Sequence, residues 1–111
     1  MYLLAMNRPS LEKFAPQVKP GGVILINRSL IPVGSGRDDV DELIVPATDI
    51  AKRIGNVRAS NIVALSAFVF RTKIVDFNLM RDCVKAEFLE KEKLLALNMQ
   101  AVEEGRKVAQ N

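Results

Sequence analysis

The chain has 111 residues, 49% of them apolar and 26% charged, with 16 basic against 13 acidic side chains and a net charge of +3. That length suits one domain and is too short for two separate cores, and the composition is that of an ordinary globular protein. Basic residues are interleaved with acids, and the aromatics are five Phe and one Tyr, so neither a basic stripe nor a stacking platform argues for nucleic acid.

In chain order, Tyr2–Met6 is an apolar run ended by Asn7 and predicts a strand buried on both faces. Ser10 can cap a helix of one or two turns, preceded by Pro9 and limited by Pro16. "KPGG" (19–22) is a turn. Val23–Ile26, four apolar residues between Gly22 and Asn27, is the clearest strand. Strand, helix, turn and strand within 27 residues predict a βαβ unit with two parallel strands.

The segment "RSLIPVGSGRDDVDE" has no period, and Leu43–Val45, stopped by Pro46, predicts a third strand. Thr48 or Asp49 then starts a short helix, "TDIAKRI", with Gly55 as its stop. Asn56, Ser60 and Asn61 are candidate caps for the next helix. Its run Ile62–Phe70 has Ser66 as its one polar member, and so predicts a helix covered on nearly every side. Asp76 caps a further helix with Phe77, Met80, Val84 and Phe88 on one stripe. The last helix, from about Glu90 to Val108, turns Leu94, Leu97, Ala101 and Val108 inward, and Gly105 weakens its end by about 1 kcal/mol relative to Ala.

Three short, largely apolar strands of this kind sit in the middle of parallel sheets. The expected fold is therefore α/β: a three-layer α/β/α arrangement with a mostly parallel sheet, here an incomplete C-terminal half plus C-terminal helices. Another copy or subunit, or the rest of a larger domain, is expected to complete it.

Histidine is absent and Cys83 is the only cysteine, which removes imidazole ligands, the His-based nucleophile pairs and any intrachain disulfide. Cys83 reads as a small core residue. The nine residues of Ile62–Phe70 are about half of the ~20 that span a bilayer, and the apolar start "MYLLAM" is too short for a signal peptide. No membrane anchor is expected, and a cytoplasmic location follows by default. "VGSGRDD" lacks the third glycine and the following helix of a dinucleotide loop, and reads as a mobile turn.

Four residues are candidates for binding. Asn7 and Asn27 stand just past the carboxyl ends of two strands, the edge at which open α/β sheets take ligands. Arg58 and Asn61 stand at the start of the long apolar helix, where an arginine suits an anion and capping does not explain it. Convergence of all four on an anionic group, such as a coenzyme A or nucleotide phosphate, is the expectation for a small ligand-binding module. The bland reading is that the asparagines end strands and cap helices.

The stretches "MNRPSLEKFAPQVKPGGVILIN", "VPATDIAKRIGNVRASNIVALSAF" and "LEKEKLLALNMQAVEEG", in that order, resemble the gamma subunit, or gamma domain, of 2-oxoacid:ferredoxin oxidoreductases, the pyruvate, 2-ketoisovalerate and 2-oxoglutarate enzymes. The resemblance covers essentially the whole chain, and residues 1–111 are similar to the C-terminal part of such a domain. It implies a complex that decarboxylates a 2-oxoacid, passes the acyl group to coenzyme A and reduces ferredoxin. Thiamine diphosphate and iron–sulfur clusters would lie in other subunits, with no cofactor and no catalytic group in this chain. The partners implied are those subunits, in a homo- or hetero-oligomer. The family's amino-terminal G-x-G-G-Q-G loop has no counterpart here, so the chain is expected to be a fragment or a separately encoded C-terminal piece.

Overall fold

The computed structural model describes residues 2–110. Three strands, β1 (Tyr2–Ala5), β2 (Val23–Asn27) and β3 (Asp41–Val45), form one sheet in the order β1-β2-β3. Both pairings are parallel, with Leu4 opposite Leu25 and Leu25 opposite Leu43. Five α-helices accompany them: α1 (Arg8–Phe14), α2 (Ala47–Ile54), α3 (Ser60–Thr72), α4 (Phe77–Glu87) and α5 (Glu92–Gln110). Short 3₁₀ turns extend α1 (Ala15–Gln17) and precede α3 (Val57–Ala59).

The period-2 alternation of β2 sorts the core into two layers. Ile24 and Ile26 face Leu11, Ala15 and Val18 of the α1 segment, together with Ile31. Leu25, Leu43 and Val45 face the other way, onto Ala51, Val63, Ala67 and Ala101 of α2, α3 and α5. Ile24, Leu25 and Ile26 are fully buried, each a gain of roughly 1.5–3 kcal/mol, so the middle strand anchors both layers. The result is the expected three-layer α/β arrangement.

β1 departs from expectation. It ends at Ala5, and only Ala5 is fully buried; Leu3 and Leu4 are half-covered and Tyr2 is exposed. The strand is apolar on both faces, as the sequence suggested, but it lies at the sheet's edge.

The apolar stretch forms α3 and is the central helix, packed against α2, α4 and α5 with only Leu65 exposed between Ile62 and Phe70. Its closest neighbour is α5. Gly105 of α5 lies so near α3 that a Cβ there would stand 2.3 Å from the Val63 carbonyl oxygen and 2.8 Å from the Ser66 Cβ. Gly105 is therefore no weak point at a helix end. With Ala101 and Ala109, it forms the small-residue side of a close helix crossing. The Ser66 hydroxyl seals this crossing by donating to the Val102 carbonyl.

Beneath α3 and α5, Met80 and Val84 bury the expected stripe of α4 against Val69 and Val102, and Asp76 caps that helix by accepting from the Leu79 N–H at 3.1 Å. Cys83 is exposed, not in the core: the buried stripe of α4 runs through Met80 and Val84, and residue 83 lies on its flank, outside the packed contact.

The glycine-containing loop after β2 is tied down from both ends. Arg37 grips Asp39 through two hydrogen bonds, of 2.9 and 2.7 Å, and donates to the Ala15 and Val18 carbonyls that close the first 3₁₀ turn. Ser35 is held by the Glu42 carboxylate, which also takes the Ser35 N–H at 3.0 Å. Two of the loop's backbone amides are thereby engaged within it, Ser35 N–H by Glu42 and Arg37 N–H by Ser35 Oγ at 3.2 Å.

Candidate functional site

Four sequence-predicted residues fall in two places. Asn27 ends β2 with no exposed surface, and its amide is fully engaged. Its Nδ2 donates to Thr48 Oγ1 at 3.0 Å and to the Met6 carbonyl at 3.4 Å. Its Oδ1 accepts from the N–H groups of Ala47 at 3.0 Å and Thr48 at 3.4 Å. The next free donor of α2, the Asp49 N–H, goes to Ser29 Oγ at 2.9 Å. Pro46 cannot cap α2 with a side chain, so β2 and the turn after it supply the cap across about twenty residues of sequence.

Asn7 is adjacent, just after Met6, and caps α1: its Oδ1 accepts from the Ser10 N–H at 3.0 Å. The cap is Asn7 and not Ser10, because Arg8 and Pro9 already have helical geometry and Pro needs no donor in the first turn. The carboxyl edge of the sheet thus has its helix N-termini filled by side chains, leaving Asn7 as the exposed amide of this pair.

Arg58 and Asn61 lie elsewhere, beyond the Gly55 stop of α2 and therefore at the opposite end of a helix roughly 12 Å long from Asn27. Asn56 caps the 3₁₀ turn by accepting from the Arg58 N–H at 2.9 Å, and that turn feeds α3. Arg58 and Asn61 line a groove of about 370 Å³ between the start of α3 and the α4–α5 connection. Ile62, Phe88 and Leu97 form its apolar wall, with Asn56 and Asn98 adding two more amides. Among the described residues, neither the Arg58 guanidinium nor the Asn61 amide has a hydrogen-bond or ion-pair partner. Asn98 is 5% exposed and donates back to the Leu94 carbonyl at 2.8 Å.

Chemically, this groove can recognise: one cation and three amides over an apolar wall suit an anion with an apolar body. Its lining holds no carboxylate, thiol or hydroxyl to act as nucleophile or base. The resolved pKa shifts lie outside it, in surface ion pairs. The hydrogen bond from Arg37 holds Asp39 below its ordinary value, and that from Arg106 does the same for Glu103. No three metal-ligating side chains cluster among the described residues, and Cys83 stands alone, so these residues offer no donor set for an iron–sulfur cluster. Among the described residues, no helix is long and apolar enough to cross a membrane.

The family signature of pyruvate ferredoxin/flavodoxin oxidoreductase runs over residues 1–108. The chain belongs to that family. It is 35% identical over 104 residues to the ketoisovalerate oxidoreductase subunit VorA of Methanothermobacter thermautotrophicus, and 32% identical to VorA of Methanothermobacter marburgensis. These matches cover 93% of the chain but only 21% and 22% of the relatives, so the chain spans about a fifth of their length.

The fold agrees. The gamma subunit of a keto/oxoacid ferredoxin oxidoreductase from Geobacter sulfurreducens superposes with a TM-score of 0.89 at 26% identity, over 98% of this chain and 63% of that one. The 2-oxoglutarate:ferredoxin oxidoreductase of Magnetococcus marinus, solved with 2-oxoglutarate, coenzyme A and succinyl-CoA, superposes at 0.84 and 25% identity over 98% of this chain and 19% of that one. The Asn27 cap, which sequence reasoning assigned to ligand binding, had one legible signal: an amide ending an apolar strand one βα step before an uncapped "VPATD" helix start.

Proposed function

We propose that this chain is a noncatalytic structural part of a 2-oxoacid:ferredoxin oxidoreductase complex, corresponding to the C-terminal part of a gamma domain. It builds the α/β scaffold of that domain and covers an active site presented by neighbouring subunits. Those subunits, in a cytoplasmic complex, would carry thiamine diphosphate and the iron–sulfur clusters, and coenzyme A would be their acyl acceptor. The observation carrying this reading is the superposition on a gamma subunit over 98% of the chain at a TM-score of 0.89. The test is to tag the chain in its native host and analyse what it brings down. Subunits that carry thiamine diphosphate and iron are expected in stoichiometric amount; recovery of the tagged chain alone would overturn the proposal.

One observation favours a second reading of the groove. Arg58 and Asn61 share a hollow of suitable size with no partner for either side chain among the described residues, so an anion with an apolar body, coenzyme A among the candidates, would find a cation and amides there. Calorimetric titration with coenzyme A and nucleotides tests it; no heat at millimolar ligand removes it.

A further inference from the structure

The groove at the start of α3 changes character from rim to floor. Arg58 and Asn61 are exposed at its rim, Ile62, Phe88 and Leu97 are half-buried in its wall, and Asn98 is buried at its floor. Asn98 is 5% exposed, and its Nδ2 donates to the Leu94 carbonyl of its own helix at 2.8 Å. Its Oδ1 accepts from no donor among the described residues. Every fully buried side-chain oxygen or nitrogen among these residues has a partner, so Oδ1 is the part of Asn98 that opens into the groove. A nearly buried acceptor left without a donor is costly, so the floor selects a ligand that brings an N–H or O–H.

Charge narrows the class further. Among the described residues lining the groove, Arg58 is the one cation and there is no acid. A single planar guanidinium matches a singly charged carboxylate, which it binds through two parallel hydrogen bonds, better than a multiply charged phosphate chain. Carboxylate, N–H and apolar body together describe the last residue of a polypeptide. From these observations, and resting on the reading of the groove as an anion site, we infer that it captures the carboxyl terminus of a partner polypeptide whose last residue is apolar. Arg58 takes the terminal carboxylate, the apolar wall takes the last side chain, and Asn98 Oδ1 accepts the last residue's N–H. The apolar surface continues past the groove: Leu65, one turn beyond Asn61 on α3, and Leu89, next to Phe88, are both exposed. A polypeptide covers that extension, whereas a small molecule filling about 370 Å³ leaves it open.

Fluorescence anisotropy on the full chain tests this, with peptides labelled with fluorescein at the amino end and ending in Leu, Ile, Val or Phe. At least one should bind with a Kd below about 100 μM. Its binding should weaken at least about tenfold when the carboxylate is amidated, when the last amide is N-methylated, and in an Arg58→Gln chain. The 2-oxoacid analogue of leucine, which keeps the carboxylate and apolar tail without the N–H, should not displace it at millimolar concentration. N-acetyl-leucine should displace it only weakly. Failure of every peptide to bind overturns the inference. So does undiminished binding of the amidated or N-methylated form or in the Arg58→Gln chain, and so does displacement by the 2-oxoacid. N-acetyl-leucine that binds as tightly as the peptides puts a small molecule in place of the chain end and also overturns it. Coenzyme A or inorganic phosphate bound where the peptides are not overturns the inference and leaves the anion reading intact; no binding of any of them removes both.

Discussion

Replacing Gly105 by Ala isolates the close crossing of α3 and α5. On helix propensity alone, Gly→Ala in a helix interior stabilises by about 1 kcal/mol. Here the added methyl would stand 2.3 Å from the Val63 carbonyl oxygen and 3.1 Å from the Ala67 nitrogen. Ordinary contact begins at 3.4 Å, so the overlap is about 1.1 Å and is with backbone, which cannot swing aside as a side chain would. Relief requires α5 to move outward by about that distance, loosening Ala101, Val102 and Ala109 together and disturbing the Ser66–Val102 hydrogen bond. Overpacking of this kind costs about 1–3 kcal/mol, occasionally more, and the backbone obstacle places it at or above the upper end. The expected net change is a loss of about 2 kcal/mol, or roughly 8 °C in Tm for a domain of this size. Urea and thermal unfolding followed by circular dichroism measure it, with Gln100→Ala on the exposed side of α5 as a control expected within about 0.5 kcal/mol. A Gly105→Ala chain as stable as the original, or more so, would refute the close-crossing argument and restore Gly105 as a mere weak point.

Asn27→Ala should destabilise by about 3 kcal/mol, because it leaves the Ala47 and Thr48 N–H groups without their acceptor in a buried place. Asn7→Ala, which removes an exposed cap, should cost about 1 kcal/mol in the same urea titration; equal costs would contradict the assignment of Asn27 as the buried cap of α2. Arg58→Ala should leave the unfolding free energy within about 0.5 kcal/mol of the original, since its guanidinium has no partner among the described residues, and should weaken coenzyme A or nucleotide binding at least tenfold by calorimetry if the groove takes an anion. Asp39 and Glu103 have folded pKa values below their unfolded ones, so their contribution is fully present above about pH 5 and is lost as pH falls through the folded values. Urea midpoints should therefore decline below about pH 5, and less steeply in an Asp39→Asn chain; parallel curves for the two proteins would count against the Arg37 clasp.

Much of this fold was legible because its signals are local. The "VILI" run names β2, Asp76 names the start of α4, and the spacing of Met80 and Val84 gives the buried face of that helix. Ile62–Phe70 declares a central helix because it leaves almost no polar face. What stayed hidden depends on residues far apart in sequence. Asn27 caps a helix that begins twenty residues later, and no local pattern distinguishes that role from ligand binding. Gly105 looks like a helix breaker until α3 is placed against it, although the four-residue spacing Ala101–Gly105–Ala109 was a sign of close packing. Cys83 was misplaced because its apolar character says nothing about which side of α4 it takes. The expected convergence of Asn7, Asn27, Arg58 and Asn61 did not form, because the length of α2 separates the first pair from the second. Only Arg58 and Asn61 share a site.

We propose that the chain serves a 2-oxoacid oxidoreductase complex as structure and not as catalyst. The most direct test is 2-oxoacid- and coenzyme A-dependent reduction of ferredoxin, measured on the purified chain, on the complex that contains it, and on the complex prepared without it. The expected result is no turnover by the chain alone, turnover by the complete complex, and a loss on omission that adding the chain back restores. Turnover by the chain alone, or full activity in its absence, would contradict it.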